Sequence, residues 1–214
     1  MSEPGQNETV QSAEEFLAER RHRDRRGCFL RLLGGWFGLM FLVIGFMVFI
    51  RSRVEDDPAK VRARVEELVH ITLPENFAPH RRTAIFGNES IAFWDQSVLR
   101  EDGRTTSLIS MYREPSWDQR SVEELEAEIE SEMEKMLARN EFHVRSKAVV
   151  PFENGRLFRF VGVAQVEERR EEAASCFRIV VTPEGPVRFQ TLGIMRDFGL
   201  ETQLDVLRSV RPKP

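Results

Sequence analysis

Apolar and polar positions divide this chain into three stretches. Residues 1–19 are polar and acidic, with Glu3, Glu8, Glu14, Glu15 and Glu19 and almost no apolar partners. They predict a disordered tail with some helical character at most near residues 13–19. From Leu32 to Ile50 the chain then runs nineteen residues without a charge, bounded by Arg31 and Arg51. A helix of that length rises roughly 28 Å, the thickness of a bilayer's hydrocarbon core. It is apolar on every face for five turns, unlike a core helix of a soluble domain. Twelve of its residues are Leu, Ile, Phe or Val, which favours insertion by about −4 to −7 kcal/mol before Gly34, Gly35, Gly38 and Gly45 reduce the gain. The pattern predicts a transmembrane helix over 32–50.

A cleaved signal peptide fits less well. Its apolar region would be shorter and would end in a small-residue cleavage site, whereas this run exits into Phe49-Ile50-Arg51-Ser52-Arg53. Arg25-Arg26 before Gly27-Cys28-Phe29-Leu30 resembles a twin-arginine export signal, but Cys28 stands where that signal usually carries Phe. The expected organisation is a cytoplasmic tail over 1–31 with a basic juxtamembrane cluster, the membrane helix, a helical stalk over 51–69 and a soluble domain over 70–214. Six arginines precede the helix (Arg20, Arg21, Arg23, Arg25, Arg26 and Arg31) and five cations follow it (Arg51, Arg53, Lys60, Arg62 and Arg64). This shallow bias favours a cytoplasmic N-terminus and an extracytoplasmic C-terminal domain.

The third stretch alternates. Asp57-Pro58 opens a helix, with a capping carboxylate before a proline at the first helical position, and Val61, Val65 and Leu68 follow at helical spacing. Strands are expected over 82–86 and 91–95 around a turn at Gly87-Asn88-Glu89-Ser90, and over 105–113 after a turn at Asp102-Gly103. The clearest helix covers 121–140. Ser121 and Glu124 form a capping-box pattern, and Val122, Leu125, Ile129, Met133 and Met136 form one stripe. Strands over 144–152, 157–166, 173–182 and 187–195 follow, with turns at Asn154-Gly155 and Pro183-Glu184-Gly185-Pro186. A helix over 200–210 closes the chain. Hairpin-linked strands with segregated helices predict an α+β domain, an antiparallel sheet with flanking helices.

Three segments bear a family resemblance. They are the opening Ile71-Thr72-Leu73-Pro74-Glu75-Asn76-Phe77, the long helix followed by a strand that turns at Glu153-Asn154-Gly155, and the closing run from Gly199-Leu200-Glu201 to Arg208-Ser209-Val210. On these segments, residues 70–212 resemble the Mog1/PsbP-like group of domains, which includes membrane-anchored bacterial proteins of this layout. The resemblance implies an assembly factor, accessory subunit or binding module, and assigns no functional residue.

A net charge of −4 over 214 residues suggests no nucleic-acid partner. Cys28 and Cys176 are expected on opposite sides of the membrane, so the domain is held without disulfides; Cys176 reads as a small buried hydrophobe. The chain carries no Gly-x-Ser-x-Gly, Walker A, Gly-x-Gly-x-x-Gly, His-Glu-x-x-His or Cys-x-x-Cys pattern. His22, His70, His80 and His143 are scattered, and the run Glu123 to Glu134 spreads around a solvated helix face. Trp94 is expected in the core. Trp117, in a loop before the long helix, is a candidate partner contact, although packing over the helix end explains it too. Asn88-Glu89-Ser90 is a glycosylation sequon, relevant only to a eukaryotic, lumenal domain. Gly34, Gly38 and Gly45 share one face of the membrane helix and offer a self-association seam.

No cofactor or metal is expected. The function expected is a membrane-anchored, non-enzymatic binding or assembly module, with partners in the bilayer, an unidentified protein and a second copy of the chain. Two alternatives stand beside it: an enzyme whose site is assembled from residues such as His80 and His143, or a self-associating structural anchor.

Overall fold

The computed structural model describes residues 36, 39–98, 105–152, 155–166 and 168–214. The chain divides into two compact units, Met1–Ser52 and Arg53–Pro214. In the first, residues 39–52 are helical. Leu39, Phe41, Leu42, Phe46, Met47 and Val48 are each more than half exposed, and at 100° per residue they point round the whole helix. The membrane helix expected over 32–50 falls partly outside the described residues. Among those described, no helix is long and apolar enough to cross a membrane.

The second unit begins at Arg53, and the segment expected to be a stalk is part of it. Strand β1 (Val54–Glu55) pairs with β3 (Phe77–Ile85). Asp57 caps helix α1 (Pro58–Leu68) by accepting from the Ala59 amide at 3.0 Å. Val61, Val65 and Leu68 are then buried at 0–2% exposure. Three apolar side chains a helical turn apart cannot remain in water when a sheet face is within reach. That burial draws the stalk into the fold.

The remaining strands are β2 (Val69–His70), β4 (Asn88–Asp95), β5 (Ser107–Arg113), β6 (Phe142–Phe152), β7 (Gly155–Val166), β8 (Arg169–Thr182), β9 (Gly185–Ile194) and β10 (Arg211–Pro212). Eight of the strands form one antiparallel sheet in the order β1-β3-β4-β5-β9-β8-β7-β6, while β2 and β10 pair separately. Helix α2 (Val122–Arg139) packs on one face of the large sheet, and α1 with α3 (Leu200–Ser209) packs on the other. The β8 strand explains its own sequence on this basis. Cys176 and Val180 join the α1/α3 core, while Phe177 and Ile179 join the α2 core. A strand covered on both faces reads as a continuous apolar run. Phe158 stacks on Phe177 with ring centroids 4.5 Å apart.

Local chemistry fixes the register. Ser121 accepts from the Glu124 amide and Glu124 accepts from the Ser121 amide, completing the capping box of α2. The first hairpin turns on Phe86 and Gly87, both at positive φ, the signature of a two-residue primed turn. Asn88, Glu89 and Ser90 therefore belong to β4, not to the turn the sequence suggested. At Gly162 a Cβ would lie 2.2 Å from the His143 carbonyl oxygen, so only glycine lets β7 approach β6 this closely. The turns expected at Asp102-Gly103 and at Asn154 lie outside the described residues.

Candidate functional site

The residues singled out by sequence do not converge. Gly34 and Gly38 lie outside the described residues, while Gly45 is exposed and has nothing within 4 Å of a Cβ. Trp117 sits in the 3-10 turn Pro115–Gln119 at 5% exposure, edge-on to Tyr112 at 5.3 Å. It packs in the α2 core cluster and is nearly buried. Trp94 is more accessible than Trp117: it is half-buried and stacks on His80 at 3.5 Å, so it is not in the core. Burial, with the Arg81 charge, lowers the His80 pKa. His80 lies on β3 and His143 on β6, six places apart in the sheet order. At about 4.8 Å per strand that is roughly 29 Å, so these two histidines cannot share a site. Among the described residues no group of His, Cys, Asp or Glu can hold a metal.

Cys176 is fully buried, and loss of hydration pushes its thiol up to about 12. A thiol that ionises only there is a poor nucleophile at neutral pH.

The strongest polar constellation is structural. Arg64 of α1 donates to both carboxylate oxygens of Glu89 at 3.0 and 2.9 Å and to both of Glu184 at 2.8 and 2.7 Å. It also donates to Glu67 at 3.0 Å. Arg82 donates to Glu89 at 2.5 Å, and Arg113 donates to the Glu184 carbonyl. The bonds to Glu184 and Glu89 raise the Arg64 pKa. Burial alone would raise Glu89, but Arg64 and Arg82 outweigh it and hold the carboxyl below its usual range. Every charge in this cluster is answered by another, so it clasps α1 to the β3–β4 hairpin and the β8–β9 turn. Sequence reasoning missed it because its members are scattered between positions 64 and 184.

Arg178 is a buried cation, at 2% exposure. It donates to the Leu207 carbonyl at 2.9 Å and the Val210 carbonyl at 3.4 Å. There it satisfies orphan groups at the C-terminal end of α3.

The concave feature with ligand-like character lies where α2 ends. Asn140 donates to the Met136 carbonyl at 2.8 Å, and Glu141 takes a positive φ of 57° to turn the chain into β6. The reversal leaves a recess of about 320 Å³ between the end of the helix and the sheet. Met136, Leu137, Phe142, Ala164, Ala173, Leu192 and Ile194 supply its apolar lining, with Thr105, Thr106, Asn140 and Gln165 also lining it. A polar recess of about 550 Å³ shares Thr106, Val166 and Ile194 with it and adds Glu168, Arg169, Glu171 and Arg196. Arg196 is committed to Asp197 at 3.0 Å and Glu171 at 3.5 Å. A convergent polar group beside an apolar floor is the usual form of a small-molecule site. A third recess, of about 530 Å³, adjoins the end of α1 and is rimmed by Arg62, Glu66, His70 and Lys213.

No family model matches the sequence, and no curated protein does. Among solved structures, that of LpqN, involved in cell envelope biogenesis of Mycobacterium tuberculosis, aligns at TM-score 0.39 and 5% identity. The alignment covers 68% of this chain and 83% of that one.

Proposed function

We propose that this chain is a single-pass, membrane-tethered protein whose C-terminal domain, of Mog1/PsbP-like architecture, is an extracytoplasmic, non-enzymatic binding or assembly module. The observation that carries the reading is the 39–52 helix. Its large apolar side chains are exposed on every side, a state water penalises and a bilayer does not. The uncharged run of sequence from Leu32 to Ile50 has the length that a membrane span needs. Arginine placement favours the cytoplasmic N-terminus. The binding reading is supported by the paired recesses at the end of α2, which join an apolar floor to a charged rim.

The test is to express the full chain, extract membranes with alkaline carbonate, and add protease from outside intact cells or spheroplasts. Retention in the pellet with the domain cleaved from outside is expected. Release by carbonate would overturn the tether, and protection of the domain would overturn the orientation. Mild crosslinking followed by mass spectrometry should then return a reproducible protein or lipid partner.

Self-association is a second reading, favoured by the open surface at Gly45. Replacing Gly38 with Ile should abolish a dimer in detergent; an unchanged dimer removes the idea. The enzymatic alternative loses the His80–His143 pair, which the sheet order keeps apart.

A further inference from the structure

We infer that the paired recesses at the end of α2 hold one single-chain lipid with a zwitterionic head, drawn from the bilayer to which the domain is tethered. The inference rests on the membrane-tethered reading and names the ligand of its binding site.

Size selects a single chain. The apolar recess, about 320 Å³, lies at the low end of ligand pockets, a size that suits one acyl chain. Leu137 and Ala173 at its floor are 2% and 1% exposed, and Met136 on its wall has a flexible thioether that can follow a chain of variable kink. Thr106, Val166 and Ile194 line both recesses, so the two adjoin and one ligand can span them across these side chains.

Charge selects the head. Arg196 is already engaged by Asp197 and Glu171. Arg169 and Glu168 stand at the rim with no ion pair to a described residue. A bare carboxylate or phosphate beside Arg169 would meet Glu168 and Glu171 as well, and a bare cation would meet Arg169 and Arg196. A head carrying both signs, such as phosphocholine or phosphoethanolamine, places each charge against an opposite one. The tether supplies such lipids in the plane of the membrane.

The test uses the full chain in phosphatidylcholine nanodiscs containing a lysophosphatidylcholine with a diazirine at the end of its acyl chain. After irradiation, label is expected on the peptides holding Met136–Asn140 or Leu192–Ile194. Dodecylphosphocholine should compete for it at least tenfold better than dodecanoate of equal chain length. Leu192→Trp, which fills the apolar recess, should reduce that label at least tenfold with unchanged thermal unfolding; if it unfolds, Met136→Trp serves in its place. Label confined to residues 36–52 in a correctly inserted protein would overturn this inference and leave the tether standing. Equal competition by dodecanoate would overturn the zwitterionic head. A protein that fails to insert in the nanodisc would overturn the tether and, with it, the bilayer as the source.

Discussion

Replacing Arg64 with Met is expected to cost the domain about 3 kcal/mol. Glu89 is 4% exposed, and Arg64 supplies two of its three guanidinium bonds. Removing one partner of a buried ion pair costs about 3–5 kcal/mol, because the other charge stays behind without its answer. Arg82 remains bonded to Glu89, so the cost falls at or just below the lower end of that range, about 2–3 kcal/mol. The bonds to Glu184 and Glu67 involve carboxylates 41% and 63% exposed, and together they add about 0–1 kcal/mol. For a domain of about 160 residues, the sum lowers the melting temperature by about 6–12 °C.

Thermal unfolding of the full chain in nanodiscs, followed by tryptophan fluorescence, reads this out. Two controls separate the ionic mechanism from simple loss of packing. The double variant Arg64→Met/Glu89→Leu removes both charges and should recover part of the loss. The second control is pH. Glu89 and Glu184 both have folded pKa values below their ordinary value. Their stabilisation is therefore present above the unfolded carboxylate pKa, about 4.3, and is lost as pH falls through the lower folded values. The gap between wild type and variant should shrink across that acid window and hold constant above it. A loss under about 1 kcal/mol, a double variant no better than the single, or a gap unchanged into acid would refute the clasp.

Other outcomes follow from the same geometry. Ser121→Ala removes one half of the α2 capping box and should cost about 1 kcal/mol in urea unfolding; an effect near zero would refute a stabilising role for the Ser121 hydroxyl. Cys176, fully buried and with its thiol pushed up to about 12, should resist a thiol reagent such as DTNB at pH 8 and react at the rate of unfolding. Fast, stoichiometric labelling of the native protein at that position would contradict its burial.

Much of the architecture was legible because it is local. The α2 helix announces itself through Ser121, Glu124 and an unbroken apolar stripe, and its start is where the capping pattern puts it. Strand positions from 142 onward were legible to within a few residues, since their apolar runs are bounded by Gly and Pro. Errors arose where two local solutions compete. Gly87-Asn88-Glu89-Ser90 reads as a turn, but Phe86 and Gly87 complete a two-residue turn first, leaving Glu89 to be buried by Arg64. Trp94, expected in the core, left it for a similar reason, whereas Trp117 took the helix-end packing that was one of its two expected places. Strand parity sends Trp94 to a sheet face it shares with His80, while the 3-10 turn folds Trp117 under Tyr112. Neither environment is encoded within a few residues of the tryptophan.

By itself, then, the sequence determined the uncharged apolar run, the α+β pattern and the helix caps, since hydrophobic period and capping chemistry act over a few residues. The tertiary structure decided which charges meet, that the 58–68 helix belongs to the domain, and where an apolar recess opens beside Arg169 and Glu168. Those outcomes depend on strand order, which brings β3 beside β4 and sets β6 at the far edge. Contacts between residues 25 to 120 positions apart leave no periodic trace in the chain, because the energy that fixes them is gained only when the sheet closes over its two cores.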